Sequence, residues 1–138
     1  MSKLLSRAKA KLEGSKFYRT RVSEDDAFVD SLCFELQQSL KLALKAIVEL
    51  SGERYVENHD VRAQLNELDA LGVKVPNASE IRNLAVTINS WETESRYRDS
   101  FIATMSEVDD VLSYTESVIA FAETLVSVSP VIKKIEAF

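Results

Sequence analysis

Two arginines flank a tyrosine late in the chain, in the run Arg96-Tyr97-Arg98. A guanidinium group binds phosphate through paired hydrogen bonds, and an aromatic ring can stack on a nucleobase. The run therefore predicts a surface for a phosphorylated ligand, which Arg82 can join from the preceding helix. Salt bridges on the protein's own surface are the alternative use of the two arginines, and the neighbouring acids are Glu92, Glu94 and Asp99.

The single histidine, His59, is the other candidate for chemistry, since imidazole titrates nearest to neutral pH. It precedes Asp60 at the expected start of a helix, where the positive end of the helix dipole disfavours the protonated ring. We predict His59 and Asp60 as second-choice contacts for the ligand. The alternative is that His59 stabilises the loop through Asp60 or through backbone groups.

Several catalytic classes lack the residues that they require. A di-iron carboxylate bundle needs Glu-x-x-His pairs, and no acid stands three residues before His59. One cysteine and one histidine do not suggest a tetrahedral zinc site. The three glycines are isolated from one another, so they form no phosphate-binding loop. We expect no metal, no cofactor and no catalytic residue, and we expect Cys33 to be a small core residue.

The element that organises the chain is the stretch Ser23–Leu50, which contains no glycine or proline. Its apolar residues recur every three or four positions and share one face of a helix. They are Phe28, Leu32, Leu36, Leu40, Ala43, Ile47 and Leu50. Ser23 is the expected N-cap, and Gly52 suits the left-handed position after the last turn. So wide a stripe predicts a helix that is covered on more than one side.

Four further helices complete the predicted fold. The first covers residues 2–21, and the third has Asn58 as its expected N-cap and Asp60 in its first turn. The fourth opens with a capping box of Asn77 and Glu80, and its stripe is Ile81, Leu84, Ile88 and Trp91. The last is Ser100–Val128, and Pro130 is expected to stop it. With only 3 glycines and 2 prolines, the sequence predicts one all-α domain, an antiparallel up-and-down bundle of about five helices over residues 1–138.

Charge is unevenly distributed along the chain, whose formal net charge is −5. Residues 1–21 hold seven basic residues and one acidic residue, which gives +6 and leaves −11 for the remainder. A basic arm on an acidic body can bind phosphates, or it can pair with the acidic surface of its own body or of a partner. No run of 18 apolar residues and no secretory signal is visible, so we expect a cytoplasmic protein without a membrane span.

Three short runs, taken in order, resemble motifs of the HEPN family (higher eukaryotes and prokaryotes nucleotide-binding). The runs are Gln37–Ala46, Asn58–Val61 and Arg96–Arg98. The resemblance covers roughly residues 3–127. It implies a five-helix bundle, often dimeric, that acts beside a small nucleotidyltransferase or inside toxin–antitoxin and RNA-defence systems.

Two residues depart from the pattern of that family. Lys41 stands where the first motif usually has glutamate, and Arg98 stands where the third usually has proline. The ribonuclease branch has an arginine followed after four to six residues by a histidine, at the start of the last helix. No histidine lies at that spacing beyond Arg96 or Arg98. The spacing occurs only between Arg54 and His59, in the loop before the third helix.

The sequence thus favours a non-catalytic HEPN-like bundle that binds a nucleotide, RNA or a nucleotidyltransferase-type partner. Two alternatives stay open. One is a metal-independent ribonuclease or toxin subunit, using Arg54 and His59 or a site shared across a dimer. The other is a pure dimerisation or interaction subunit. We also expect a homodimer, because two long helices with wide apolar stripes leave more hydrophobic face than about five helices cover.

Overall fold

The chain folds into helices joined by short connections. A computed structural model describes residues 2–53, 60–97 and 103–136, and its description of side chains omits 93–97 and 128–136. The helices are α1 (Lys3–Arg19), α2 (Asp26–Leu50), α3 (Val61–Ala70), α4 (Ala78–Asn83), α5 (Ala85–Tyr97) and α6 (Met105–Glu136). No strand occurs in these three ranges, and the predicted all-α class is confirmed. None of the helices in this part of the chain is long and apolar enough to cross a membrane.

Helix α2 is the centre of the bundle. Helix α1 packs along it most extensively, and α6, α5 and α3 also pack on it. Most of its predicted stripe is fully buried, together with Cys33: Leu32, Leu36, Leu40, Ala43 and Ile47. Because burying a leucine or isoleucine side chain contributes about 1.5–3 kcal/mol relative to leaving it exposed, this stripe is a main source of the stability of the fold.

The start of α2 differs from the prediction by two residues. Asp25, not Ser23, is the N-cap, and its carboxylate accepts a hydrogen bond from the N–H of Ala27 at 2.8 Å. The turn between α1 and α2 extends past Ser23 and is closed by the N–H of Glu24, which donates to the carbonyl of Arg21 at 3.0 Å. The Ser23 prediction was wrong because serine and aspartate suit an N-cap equally well, and the length of the turn decides between them.

The predicted fourth helix is two helices, α4 and α5, which meet at Leu84. That residue has φ −101° and ψ 7°, outside the regular helix. The apolar period from Ile81 to Ile88 continues across the break, so the sequence pattern carries no sign of it. The predicted capping box with Glu80 was wrong as well. Asn77 adopts the left-handed conformation, with φ 59°, and its side chain makes no capping bond.

Helix α6 is displaced towards the C-terminus relative to the predicted Ser100–Val128. Residues 103 and 104 are not helical, and the helix begins at Met105. Its backbone remains helical past Pro130 as far as Glu136, so the prediction that Pro130 ends it was wrong. A proline inside a helix removes one backbone hydrogen bond and can kink the helix without ending it.

The basic face of α1 lies against acidic residues of α2 and α6. Four of its basic side chains form ion pairs between helices, at 3.6, 3.1, 3.3 and 2.7 Å respectively: Lys9–Glu123, Lys11–Glu35, Lys16–Glu116 and Arg19–Asp109. Two of these lysines, Lys9 and Lys16, line a groove of about 210 Å³ between α1 and α6. The basic arm therefore pairs with the acidic body of its own chain, which is one of the roles that the charge pattern predicted.

Candidate functional site

An ion pair inside the bundle joins α2 to α5. The Nζ atom of Lys41 lies 3.2 Å from Oε2 of Glu92, and the Lys41 side chain is only 7% exposed. Burial lowers the pKa of Lys41, because desolvation disfavours the ammonium, while Glu92 and Asp60 act in the opposite direction. The charge of Lys41 is therefore stabilised by nearby carboxylates rather than by water.

A second set of hydrogen bonds joins α5 to the start of α3. Asn89 Nδ2 donates to Asp60 Oδ1 at 2.9 Å, and the N–H of Val61 donates to Asn89 Oδ1 at 3.1 Å. Asp60 also accepts from the N–H of Arg62 at 2.9 Å and is the N-cap of α3. The prediction that Asn58 caps this helix was therefore wrong; Asn58 itself lies outside the described residues. The hydrogen bond from Asn89 is the largest cause that lowers the pKa of Asp60, so this carboxylate stays ionised.

A third contact joins α2 to α3. Gln64 Nε2 donates to the backbone carbonyl of Lys41 at 3.3 Å, and both residues are buried. Together with the two sets of bonds above, it links all three helices. We call these residues the polar junction: Lys41, Asp60, Gln64, Asn89 and Glu92. The junction brings together the first motif on α2, the second motif at the start of α3 and the middle of α5.

Arg96 and Tyr97 occupy the final turn of α5, which ends at Tyr97. Arg96 follows Glu92 by four residues and Asn89 by seven. This spacing places the three positions on one side of the helix. The side of α5 that enters the polar junction is thus the side that leads to Arg96. Three predicted residues lie outside the described part of the chain: Arg98, His59 and Arg54.

Arg82 is engaged with α3. Its Nη2 atom donates to Asn66 Oδ1 at 3.2 Å and to a carboxylate oxygen of Asp69. Arg82 precedes α5, whereas Arg96 lies at its end, and a helix of 13 residues is roughly 20 Å long at the usual rise per residue. The structure therefore places Arg82 beside α3, near the opposite end of α5 from Arg96.

Cys33 is a core residue, as predicted. Its side chain is buried in α2, and burial raises the pKa of the thiol to about 12, with a smaller contribution from Asp30. At neutral pH the reactive thiolate is therefore scarcely populated. Within the described residues, no cluster of three or more His, Cys, Asp or Glu side chains could hold a metal ion.

The comparison with known families agrees with the helical fold and with the resemblance found in the sequence. A family model described as the HEPN domain matches residues 1–125 of the 138 residues. The chain belongs to the HEPN domain family. Membership of this family indicates a helical module of a nucleotide- or RNA-related class. No curated protein and no solved structure matches the chain significantly.

In this HEPN domain, Asp60 is the one junction residue that the sequence predicted as a site residue. Asn89 and Gln64 were not predicted, and Lys41 was noted only as a departure from the family pattern. A signal was present in the sequence, because Lys41 lies eight residues after Cys33 and three before Leu44, on the apolar side of α2. Lysine is almost never fully buried unless it is paired, so its position indicated a carboxylate on a neighbouring helix.

Proposed function

We propose that this HEPN domain is a non-catalytic module that binds a nucleotide or RNA through Arg96, Tyr97 and Arg98. One observation supports the proposal above the others. The polar junction ties the middle of α5 to α2 and α3 through Asn89 and Glu92, and Glu92 lies one helical turn before Arg96, so the arginine motif extends from a fixed base. A surface that is already ordered before the ligand arrives loses less conformational entropy on binding.

The start of α3 forms the neighbouring edge of the proposed surface. Asp60 is held there by Asn89 at 2.9 Å, and His59 precedes it in the chain. Since an ionised carboxylate accepts hydrogen bonds from hydroxyl groups, Asp60 is better suited to a ribose than to a phosphate. We leave Arg82 out of this surface, because it lies near the opposite end of α5 from Arg96 and Asp69 already engages its guanidinium.

Helix α1 is the other concentration of positive charge, and it is a weaker candidate for the phosphates. Four of its basic side chains are paired with carboxylates of α2 and α6. A phosphate that bound there would have to compete with those carboxylates. The arginines at the end of α5 are therefore the favoured phosphate contacts.

The absence of a suitably placed base supports a role without catalysis. Cleavage of RNA by general acid–base chemistry needs a group that accepts the 2′-hydroxyl proton near neutral pH, and histidine is the usual choice. The residues from Arg96 to Thr104, where the ribonuclease branch has its histidine, include none. Affinity for phosphate without that base produces binding rather than turnover.

Fluorescence anisotropy with a labelled single-stranded RNA, and with a fluorescent ATP analogue, tests the proposal. We expect weak, salt-sensitive binding that falls when Arg96 and Arg98 are both changed to Ala. The slope of log affinity against log salt should flatten by about one for each phosphate contact that is lost. The single variants Arg96→Ala and Arg98→Ala are compared with Arg7→Ala, which also removes one positive charge, from an exposed position of α1, and which should leave binding unchanged.

Three results would contradict the proposal. An equal loss of affinity in Arg7→Ala would move the binding surface to α1. Binding that ignores both arginine changes would move it to another surface, and no binding by the wild type would favour the pure interaction subunit. In that case a nucleotidyltransferase-type partner protein, of the kind found with HEPN domains in toxin–antitoxin systems, becomes the expected ligand.

A homodimer in the cytoplasm remains part of the proposal. The apolar stripes that suggested a dimer are largely covered within the chain, where α1, α5 and α6 pack on α2. In the described residues the exposed large apolar side chains are scattered: Phe17, Leu71 and Val86. A dimer would therefore use a surface other than the main stripe of α2. Sedimentation at micromolar concentration tests this, and a monomer would contradict the homodimer.

A further inference from the structure

Lys41 is a charged residue in the middle of the most buried helix of the bundle. Its ammonium contacts Glu92 of α5 at 3.2 Å, and the Glu92 side chain is 32% exposed. Its backbone carbonyl accepts a hydrogen bond from Gln64 of α3. Through its side chain and its backbone, Lys41 is thus the residue at which α2, α3 and α5 are joined.

The partner of Lys41 lies one helical turn before the arginine motif. Glu92 precedes Arg96 by four residues, and Asn89 precedes Glu92 by three. Asn89 is held from α3 by Asp60, and Glu92 is held from α2 by Lys41. The side of α5 that leads to Arg96 is therefore held at two successive turns, and Lys41 provides the contact nearer to the end.

We propose that Lys41 is a positioning residue for the ligand surface: its buried ammonium holds Glu92 and thereby fixes the last turn of α5, where Arg96 and Tyr97 lie. Its effect on ligand binding rests on the proposed function, whereas its effect on α5 does not. The HEPN motif that this run resembles usually has glutamate at this position. In this chain the cation stands on α2, and α5 supplies the acid.

The end of α5 is the part of the helix that most needs such a contact. The last four carbonyls of a helix have no partners within it, so helix ends fray. Helix α5 ends at Tyr97, only five residues after Glu92. Loss of the Lys41 ammonium should let fraying spread back towards Glu92, which would loosen the arginine motif without unfolding the bundle.

Hydrogen–deuterium exchange on a Lys41→Met variant tests this role, since methionine keeps an unbranched apolar stem and removes the charge. We expect faster exchange in residues 89–97, unchanged exchange in α1, and weaker binding of labelled RNA. Lys11→Met is the matched control. It removes another lysine–glutamate contact of α2, with Glu35 at 3.1 Å, and should leave exchange in residues 89–97 unchanged.

A double-mutant cycle separates positioning from a general loss of stability. Glu92→Gln should loosen residues 89–97 as Lys41→Met does, and adding it to Lys41→Met should change exchange there little further, because the ion pair is already lost. Unchanged exchange at 89–97 in Lys41→Met would overturn the proposal, as would a uniform increase across the chain or strictly additive effects of the two changes.

The same measurements distinguish this proposal from the proposed function. If Lys41→Met loosens residues 89–97 but the wild-type protein binds neither RNA nor the ATP analogue, the ligand-binding function is wrong and Lys41 still positions the end of α5. If the wild type binds RNA and Lys41→Met leaves both exchange and affinity unaltered, the binding function stands and the positioning role is wrong.

Discussion

The guanidinium of Arg19 donates to both carboxylate oxygens of Asp109, from Nε at 2.7 Å and from Nη2 at 3.1 Å. The two residues are 90 positions apart, so the pair ties the end of α1 to the beginning of α6. Two parallel hydrogen bonds between a guanidinium and a carboxylate fix direction as well as distance. The pair therefore sets how the basic helix lies on the acidic one.

Replacing either partner should lower the free energy of unfolding. The side chains are 34% and 51% exposed, so water screens the pair and we expect a coupling of about 0.5–1 kcal/mol. Urea unfolding of Arg19→Ala, Asp109→Ala and the double variant gives the coupling as a double-mutant cycle. Strictly additive effects of the two changes would contradict this prediction.

The same pair predicts a dependence of stability on pH. The hydrogen bond from Arg19 lowers the pKa of Asp109 below its ordinary value of 3.8. The stabilisation is thus complete above the ordinary pKa and is lost as the pH falls through the lowered value. Asp109→Asn should be less stable than wild type at pH 7, and the difference should shrink in acid. The free energy of unfolding of both proteins, measured from pH 7 into acid, checks this prediction. A difference between them that grows in acid would contradict it.

Cys33 should resist thiol reagents in the folded protein. Burial raises the pKa of this thiol to about 12, and only the thiolate reacts. We expect very slow reaction with Ellman's reagent at pH 8 and rapid reaction of one thiol per chain after unfolding in guanidinium. Rapid labelling of the native protein would mean that α2 is more accessible than its packing indicates.

Two glycines should respond to alanine in opposite directions. Gly14 lies within α1, and the nearest atom to an added Cβ is Glu35 Oε2 at 4.0 Å, so Gly14→Ala should stabilise the protein by about 0.5–1 kcal/mol. Gly72 follows α3 with φ 75°, where a side chain costs about 1–2 kcal/mol. Thermal unfolding of each variant gives its change in melting temperature relative to wild type. Changes of the same sign in the two variants would contradict this prediction.

The long helices and the core were predictable from the sequence. The stripe through Leu32, Leu36 and Leu40 is fully buried, as its period predicted. Because the apolar residues recur over many turns, a single polar residue within the repeat does not obscure the helix. The left-handed conformation of Gly52, with φ 86°, was predictable for a local reason, since few other residues tolerate it.

Boundaries and long-range partners were harder to predict. Leu84 breaks a helix while continuing its apolar period, and Pro130 lies within a helix that it was expected to end. The contact between Lys41 and Glu92 joins residues 51 positions apart. Its formation depends on how α5 lies on α2, and no local pattern records that arrangement. The arginine motif itself was recognised from residue types and from the family resemblance rather than from packing.

One experiment tests the central claim, that this HEPN domain binds RNA without cleaving it. A labelled single-stranded RNA is titrated with purified protein while anisotropy is followed, and the same samples are then separated on a denaturing gel. We predict a rise in anisotropy that added salt reverses, with intact RNA in wild type and in His59→Ala alike. RNA fragments that appear with wild type and disappear with His59→Ala would contradict the claim and identify a ribonuclease that uses Arg54 and His59.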